Sequence, residues 1–268
     1  MATKAHRASS AVAWLARRPG YMLLTASDEA LAAEPPERFG LAWLELMALS
    51  TLLGVLLVNL WGVSWRIFRD YDPLIMPAAV TGCVFCLWPF RRGLAALAEL
   101  LNRSDGPARS VVSATLVLAV VLCLARLDPD WQRREPLALP QWLDWLRPAA
   151  KLYRVLLLMP MWGGWGMIIA VKFCRPTGRT EPQVAAFARG CGAAGAAACM
   201  AGLLLMSICY FHHLGLGGQI CIPLVTVLAA IAGGAGLCRL DGAPTRRALL
   251  AGNVVTQMAF VVAYLAAR

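Results

Sequence analysis

Seven apolar stretches follow one another along this chain, near residues 41–62, 75–90, 110–127, 152–171, 190–211, 214–238 and 248–267. A hydrocarbon core about 30 Å thick is crossed by about 20 residues of helix. With no water to satisfy backbone N–H and C=O groups inside lipid, such segments must be helical. The expected fold is therefore all-α, a polytopic helical membrane protein with six or seven transmembrane helices. The second stretch decides the number, because it is short and carries Pro77 and Pro89.

Composition agrees with lipid as the solvent. Hydrophobic residues make up 59% of the chain and charged residues 15%, well below the about 25% of soluble domains. The net charge of +10 does not point to nucleic acid, since the basic residues form short clusters beside apolar spans and not one basic face interleaved with aromatics. An anionic membrane surface is the matching partner. The nine cysteines lie within or at the edges of spans and read as packing residues. Cys83 and Cys86 form a CxxC, but neither a second pair nor a nearby His completes a zinc site.

Residues 1–40 form a polar, Ala-rich N-terminal segment, cytoplasmic or interfacial, followed by a transmembrane domain over 41–268. The patch 11–16 is broken by Arg17 and Arg18, too short for a signal-peptide core and suited to lying in the interface. Pro35 and Pro36 forbid a continuous helix into the first span. With seven spans, sixteen Lys and Arg fall on the side of the N-terminus and nine on the other. The positive-inside rule then makes the N-terminus cytoplasmic in a multi-pass protein of the inner membrane. Residues 128–151 depart from the pattern; their tryptophans and leucines suggest an amphipathic helix in the opposite interface. The fifth span opens Gly190-Cys-Gly-Ala-Ala-Gly-Ala-Ala-Ala-Cys199. Small residues let helices approach closely, so this span is expected in the middle of the bundle or in a homo- or hetero-oligomeric contact through 190–211. The glycine runs 163–166 and 233–236 suggest kinks.

Ionisable residues within spans are few. Glu45 sits one turn into the first, where a helix N-terminus favours a carboxylate. Asn59 and Gln257 suit interhelical hydrogen bonds. Three clusters lie at the basic side: Arg91 and Arg92 running to Glu99, Asp105 and Arg109; Arg175-Pro-Thr-Gly-Arg179; and Asp241 to Arg247, leading to Asn253. Such arginines bind phosphate oxygens bidentately or serve as anchors at the membrane face. Asp105-Gly-Pro-Ala-Arg109 fails as the opening of a CDP-alcohol phosphotransferase motif: it is one residue short, and no paired aspartates follow to hold two metals.

The order of these clusters resembles the cobalamin synthase family, the adenosylcobinamide-GDP ribazoletransferases. After two spans, Arg91-Arg92-Gly93-Leu94-Ala95-Ala96-Leu97-Ala98-Glu99 resembles that family's acidic H-x-D-G-L-A-D-T-A-D-G segment, with Gly93, Leu94, Ala95 and Ala98 in place. Arg92 and Ala96 replace acids, and only Glu99 is retained in kind. Phe173 to Gly178 and Gly242 to Asn253 resemble two later motifs. The resemblance implies a transferase joining a ribazole to a GDP-activated corrinoid, with Glu99, Asp105 and Asp241 as catalytic acids. Glu99 and Asp105 would hold Mg²⁺, and Arg92, Arg109, Arg175, Arg246 and Asn253 would bind a phosphorylated or amphipathic ligand. Mg²⁺ requires carboxylate oxygens, so the lost acids fit a non-catalytic relative. The reading from another class is a non-enzymatic scaffold subunit or a small-solute permease.

Overall fold

The computed structural model describes residues 14, 16–88, 90–102, 107–127 and 151–268, and these are all-α. In chain order the helices are α1 (Pro19–Thr25), α2 (Asp28–Ala32), α3 (Ala42–Phe68), α4 (Ile75–Leu87), α5 (Arg91–Leu101), α6 (Pro107–Ala125), α7 (Lys151–Phe173), α8 (Pro182–Gly190), α9 (Ala193–Tyr210), α10 (Gly215–Asp241) and α11 (Arg246–Ala267). Short 3-10 segments, Pro36–Leu41 and His212–Leu214, lead into α3 and α10.

Five helical segments are long and apolar enough to cross a membrane: Pro36–Phe68, Lys151–Phe173, Ala193–Tyr210, His212–Asp241 and Arg246–Ala267. The chain is thus a candidate multi-pass membrane protein. The other two expected spans are shorter apolar helices, Ile75–Leu87 and Ser110–Ala125. The 13 residues of α4 rise only about 20 Å, less than the core thickness. The amphipathic helix expected over 128–151 lies outside the described residues, except Lys151, which opens α7.

Local signals explain most boundaries. Pro19 and Pro36 open their helices, where a missing N–H costs nothing. Ser27 Oγ accepts from Ala30 N at the start of α2, and Thr245 Oγ1 accepts from Ala248 N at the start of α11, each satisfying an orphan donor. Gly242 ends α10 at φ +81°, a left-handed cap that side chains disfavour. The turn Asp241-Gly-Ala-Pro-Thr245 therefore folds α11 back along α10.

At the centre is α7, buried over most of its length, with α11 beside it. Glycines on α7 carry this packing: a Cβ on Gly164 would lie 2.4 Å from Ser50 Oγ of α3, and one on Gly166 2.4 Å from Thr256 Oγ1 of α11. Gly54 of α3 would in turn meet the Leu157 carbonyl at 2.4 Å. The run 163–166 is a site of close helix approach within the continuous helix α7, which also contains Pro160.

The expected place of the fifth span is corrected. Instead of lying in the middle of the bundle, α9 is the least buried of the five long spans. Its inward residues Ala196, Leu203, Ser207 and Tyr210 follow a helical period and face α7. Trp165 Nε1 donates to Ala196 O at 3.1 Å, Trp162 Nε1 to Ser207 Oγ at 3.3 Å, and Arg154 Nη1 to Tyr210 O at 2.9 Å. Ala194, Ala197, Ala198, Ala201 and Gly202 face outward.

Candidate functional site

The described parts of the three clusters and of the N-terminal segment lie at one end of the bundle, the basic pole. The first cluster is not a plain loop. Its residues 91–101 form α5, an amphipathic helix whose Gly93 lies against α11, where a Cβ would stand 2.9 Å from Leu250 O.

Arg246 organises this pole. It is almost fully buried at the first turn of α11. Its Nε donates to Leu23 O at 2.9 Å, and Nη2 donates to Met22 O at 3.0 Å and Ala26 O at 2.7 Å. Nη1 donates to Asp28 Oδ1 at 2.6 Å. The planar guanidinium thus takes the orphan carbonyls of Leu23 and Ala26 and shares Met22 O with the Ala26 N–H at the C-terminal end of α1, where a cation also complements the helix dipole. At the other end of α1, Gly20 N donates to Glu45 Oε2 at 3.0 Å, and Arg18 Nη1 lies 3.4 Å from Glu45 Oε1. Glu45, expected to favour its own helix terminus, reaches across to α1. Gln183 Nε2 of α8 donates to Glu34 O at 2.9 Å, holding the chain after α2. Gly190 abuts Gly40 so closely that no Cβ fits between them. Residues 19–41 are accordingly seated on the bundle, with Leu23 and Phe39 fully buried.

Glu99 and Asp241 come to the same place through Arg247. Arg247 Nη1 lies 3.7 Å from Glu99 Oε2, and its Nε donates to Asp241 Oδ2 at 3.4 Å. Arg247 Nη2 also pairs with Asp241 Oδ1, and Thr245 Oγ1 donates to Asp241 Oδ2. The Asp241 side chain is almost wholly buried. A guanidinium stands between the two carboxylates, and the described residues contain no group of three His, Cys, Asp or Glu able to hold a metal. The Mg²⁺ pair expected from the sequence, Glu99 with Asp105, falls only half within the described residues. Asp105 and the Arg109 side chain lie outside the described residues.

The remaining candidates are dispersed. Arg92 Nη1 is 3.9 Å from Asp28 Oδ1, near Arg246. Arg175 is exposed in a separate groove between α7 and α10. Asn253 is buried in the bundle, where its Nδ2 donates to Met167 Sδ at 3.2 Å and its Oδ1 accepts from Gln257 Nε2. That pair covers Gly163, whose Cβ would sit 2.6 Å from Gln257 Cγ. Gln257 Oε1 has no partner among the described residues. Asn59, expected to bond a neighbouring helix, instead donates to Val55 O of its own helix at 2.7 Å and faces outward. Asp28 and Glu181 join the pole without having been among the residues expected there. Glu181 Oε2 accepts from Arg246 N at 3.2 Å. The Ser27-Asp28-Glu29 helix-start pattern was a usable signal for the first; nothing local marks the second.

Compared with known proteins, the chain matches no family model, no curated protein and no solved structure.

Proposed function

We propose that this protein is a non-catalytic component of the inner membrane that assembles with a partner helix, its own copy or another chain, through the outer face of α9. One observation carries the reading. Ala194, Ala198 and Gly202 repeat at four-residue spacing on the exposed face of α9, and no atom lies within 4 Å of a Cβ built on Gly202. Lipid contact requires no small residues, whereas close helix approach does. In membranes, a cysteine at position 202 is expected to cross-link to a partner, and Ala198→Leu with Gly202→Leu to abolish assembly measured by light scattering in mild detergent. A monomeric wild type that also fails to cross-link in native membranes would show this face to be lipid-facing.

The transferase reading that follows from the resemblance to cobalamin synthases requires Mg²⁺ at Glu99 and Asp105. The position of Arg247 beside Glu99 favours the non-catalytic reading. Rescue of a strain lacking the last cobalamin assembly step, lost with Glu99→Gln, would reverse that preference.

The reading also puts the N-terminus and the basic pole on the cytoplasmic side, as the sixteen-to-nine Lys and Arg distribution supports. In a cysteine-free background, Gly178→Cys, at an open and exposed position, should react with an impermeant maleimide only after permeabilisation. Labelling in intact cells would invert the assignment.

A further inference from the structure

A groove of about 290 Å³ opens at the basic pole between the end of α7 and the end of α10, bordered by the turn 242–244; neither Arg246 nor Arg247 lines it. Its lining mixes two chemistries. Phe173, Cys174, Ala235, Cys238, Ala243 and Pro244 are apolar, and Arg175 and Arg239 line it together with Thr177. A third guanidinium borders it: Arg179 Nη1 stands 3.2 Å from where a Cβ on Gly242 would lie.

The arginines at the pole fall into two sets; Arg17, Arg91 and Arg189 share with the groove arginines the absence of a carboxylate partner among the described residues, but they do not line a common concavity. Arg18, Arg38, Arg92, Arg246 and Arg247 each lie within ion-pair distance of a carboxylate. Among the described residues no carboxylate pairs with Arg175, Arg179 or Arg239. The two acids nearest in sequence are engaged elsewhere, Asp241 with Thr245 and Arg247, and Glu181 with the Arg246 backbone. Three uncompensated guanidiniums around one concavity repel one another, and an anion entering it relieves that repulsion. Guanidiniums favour phosphate because their planar donors match its oxygens. The apolar lining selects an anion with a hydrocarbon tail.

We propose that this groove binds the phosphate of an anionic amphiphile, its phosphate between Arg175 and Arg239 and its apolar part along Phe173 and Ala235. An anionic phospholipid of the surrounding leaflet supplies that chemistry, and so does a soluble phosphate compound. The site is independent of the α9 face, so assembly and binding can fail separately.

The test uses the full chain purified in mild detergent, titrated with phosphatidylglycerol, phosphatidylcholine or inorganic phosphate and read by native mass spectrometry. Wild type should bind phosphatidylglycerol in clear preference to phosphatidylcholine. Arg175→Gln with Arg239→Gln should weaken phosphatidylglycerol about 30-fold, from two cations near an anionic headgroup. Arg189→Gln, at an exposed position on α8 outside the groove, should not. Competition by millimolar inorganic phosphate would support the phosphate site with a soluble source, and its absence would support the lipid as source. Ala235→Trp, which crowds the apolar lining and leaves the arginines, should weaken phosphatidylglycerol as well, so a double variant that fails to fold does not remove the test. Equal binding of the two lipids by wild type, or an undiminished preference in both the double variant and Ala235→Trp, would overturn the proposal.

Discussion

Replacing Arg246 by Met should destabilise the protein by about 2–6 kcal/mol, from the Leu23 and Ala26 carbonyls each left without a donor at about 1–3 kcal/mol. Met fills much of the same volume but donates nothing to Met22, Leu23 and Ala26, whose carbonyls receive the guanidinium in the intact protein. Met22 O keeps the Ala26 N–H as a donor, whereas Leu23 O and Ala26 O are left without one at the end of the same short helix. Asp28 is well exposed, so its loss of a partner adds little. Two readouts should move together: a lower unfolding midpoint in detergent, and faster trypsin cleavage after Arg38 as residues 19–41 leave the bundle. Arg246→Lys should fall between, since an ammonium keeps the charge but cannot span three carbonyls with a planar fork. An Arg246→Met protein that melts and resists trypsin like wild type would show that the N-terminal segment is held by its apolar contacts alone.

Trp165→Ala should cost a similar amount, about 3–5 kcal/mol, because it empties one of the largest fully buried side chains in the bundle. Trp165 stacks edge-on against Trp162 with centroids 5.6 Å apart, and Trp162 lies against Phe260 of α11 at 6.4 Å. The indole also donates to Ala196 O, so the change removes a tether of α9 as well as volume. Trp165→Phe separates the two effects: it keeps most of the packing and should lose about 1 kcal/mol for the hydrogen bond. Hydrogen exchange should then increase across α9 more than across α11. Equal loosening of both helices would mean that the aromatic cluster supports the bundle generally and α9 has no particular dependence on it.

Both predictions concern residues whose roles the linear chain hides. Arg246 sits beside Arg247 in a basic turn and reads as one of two equivalent anchors or ligand binders. In the fold they part company: successive helical residues point about 100° apart, so one turns into the bundle onto α1 and the other outward to Glu99 and Asp241. Glu45 was legible as a carboxylate suited to a helix N-terminus. That the terminus it serves is also α1, through Gly20, depends on a contact 25 residues away in sequence, which no local pattern encodes.

What the sequence determined by itself is the class of secondary structure. Apolar runs of about 20 residues form helices long and apolar enough to cross a membrane, and caps such as Ser27, Gly242 and Thr245 set helix ends by local hydrogen bonds and backbone geometry. Only the tertiary structure decided which helix is central. Small residues permit close approach but do not choose a neighbour: the glycines of α7 receive α3 and α11, while most of the glycines and alanines of α9 are left facing outward. It also decided which charges are used up. Whether an arginine is an anchor, a clamp or an open ligand-binding group depends on the carbonyls and carboxylates within about 3–4 Å of its donors, and those partners come from segments far apart in the chain.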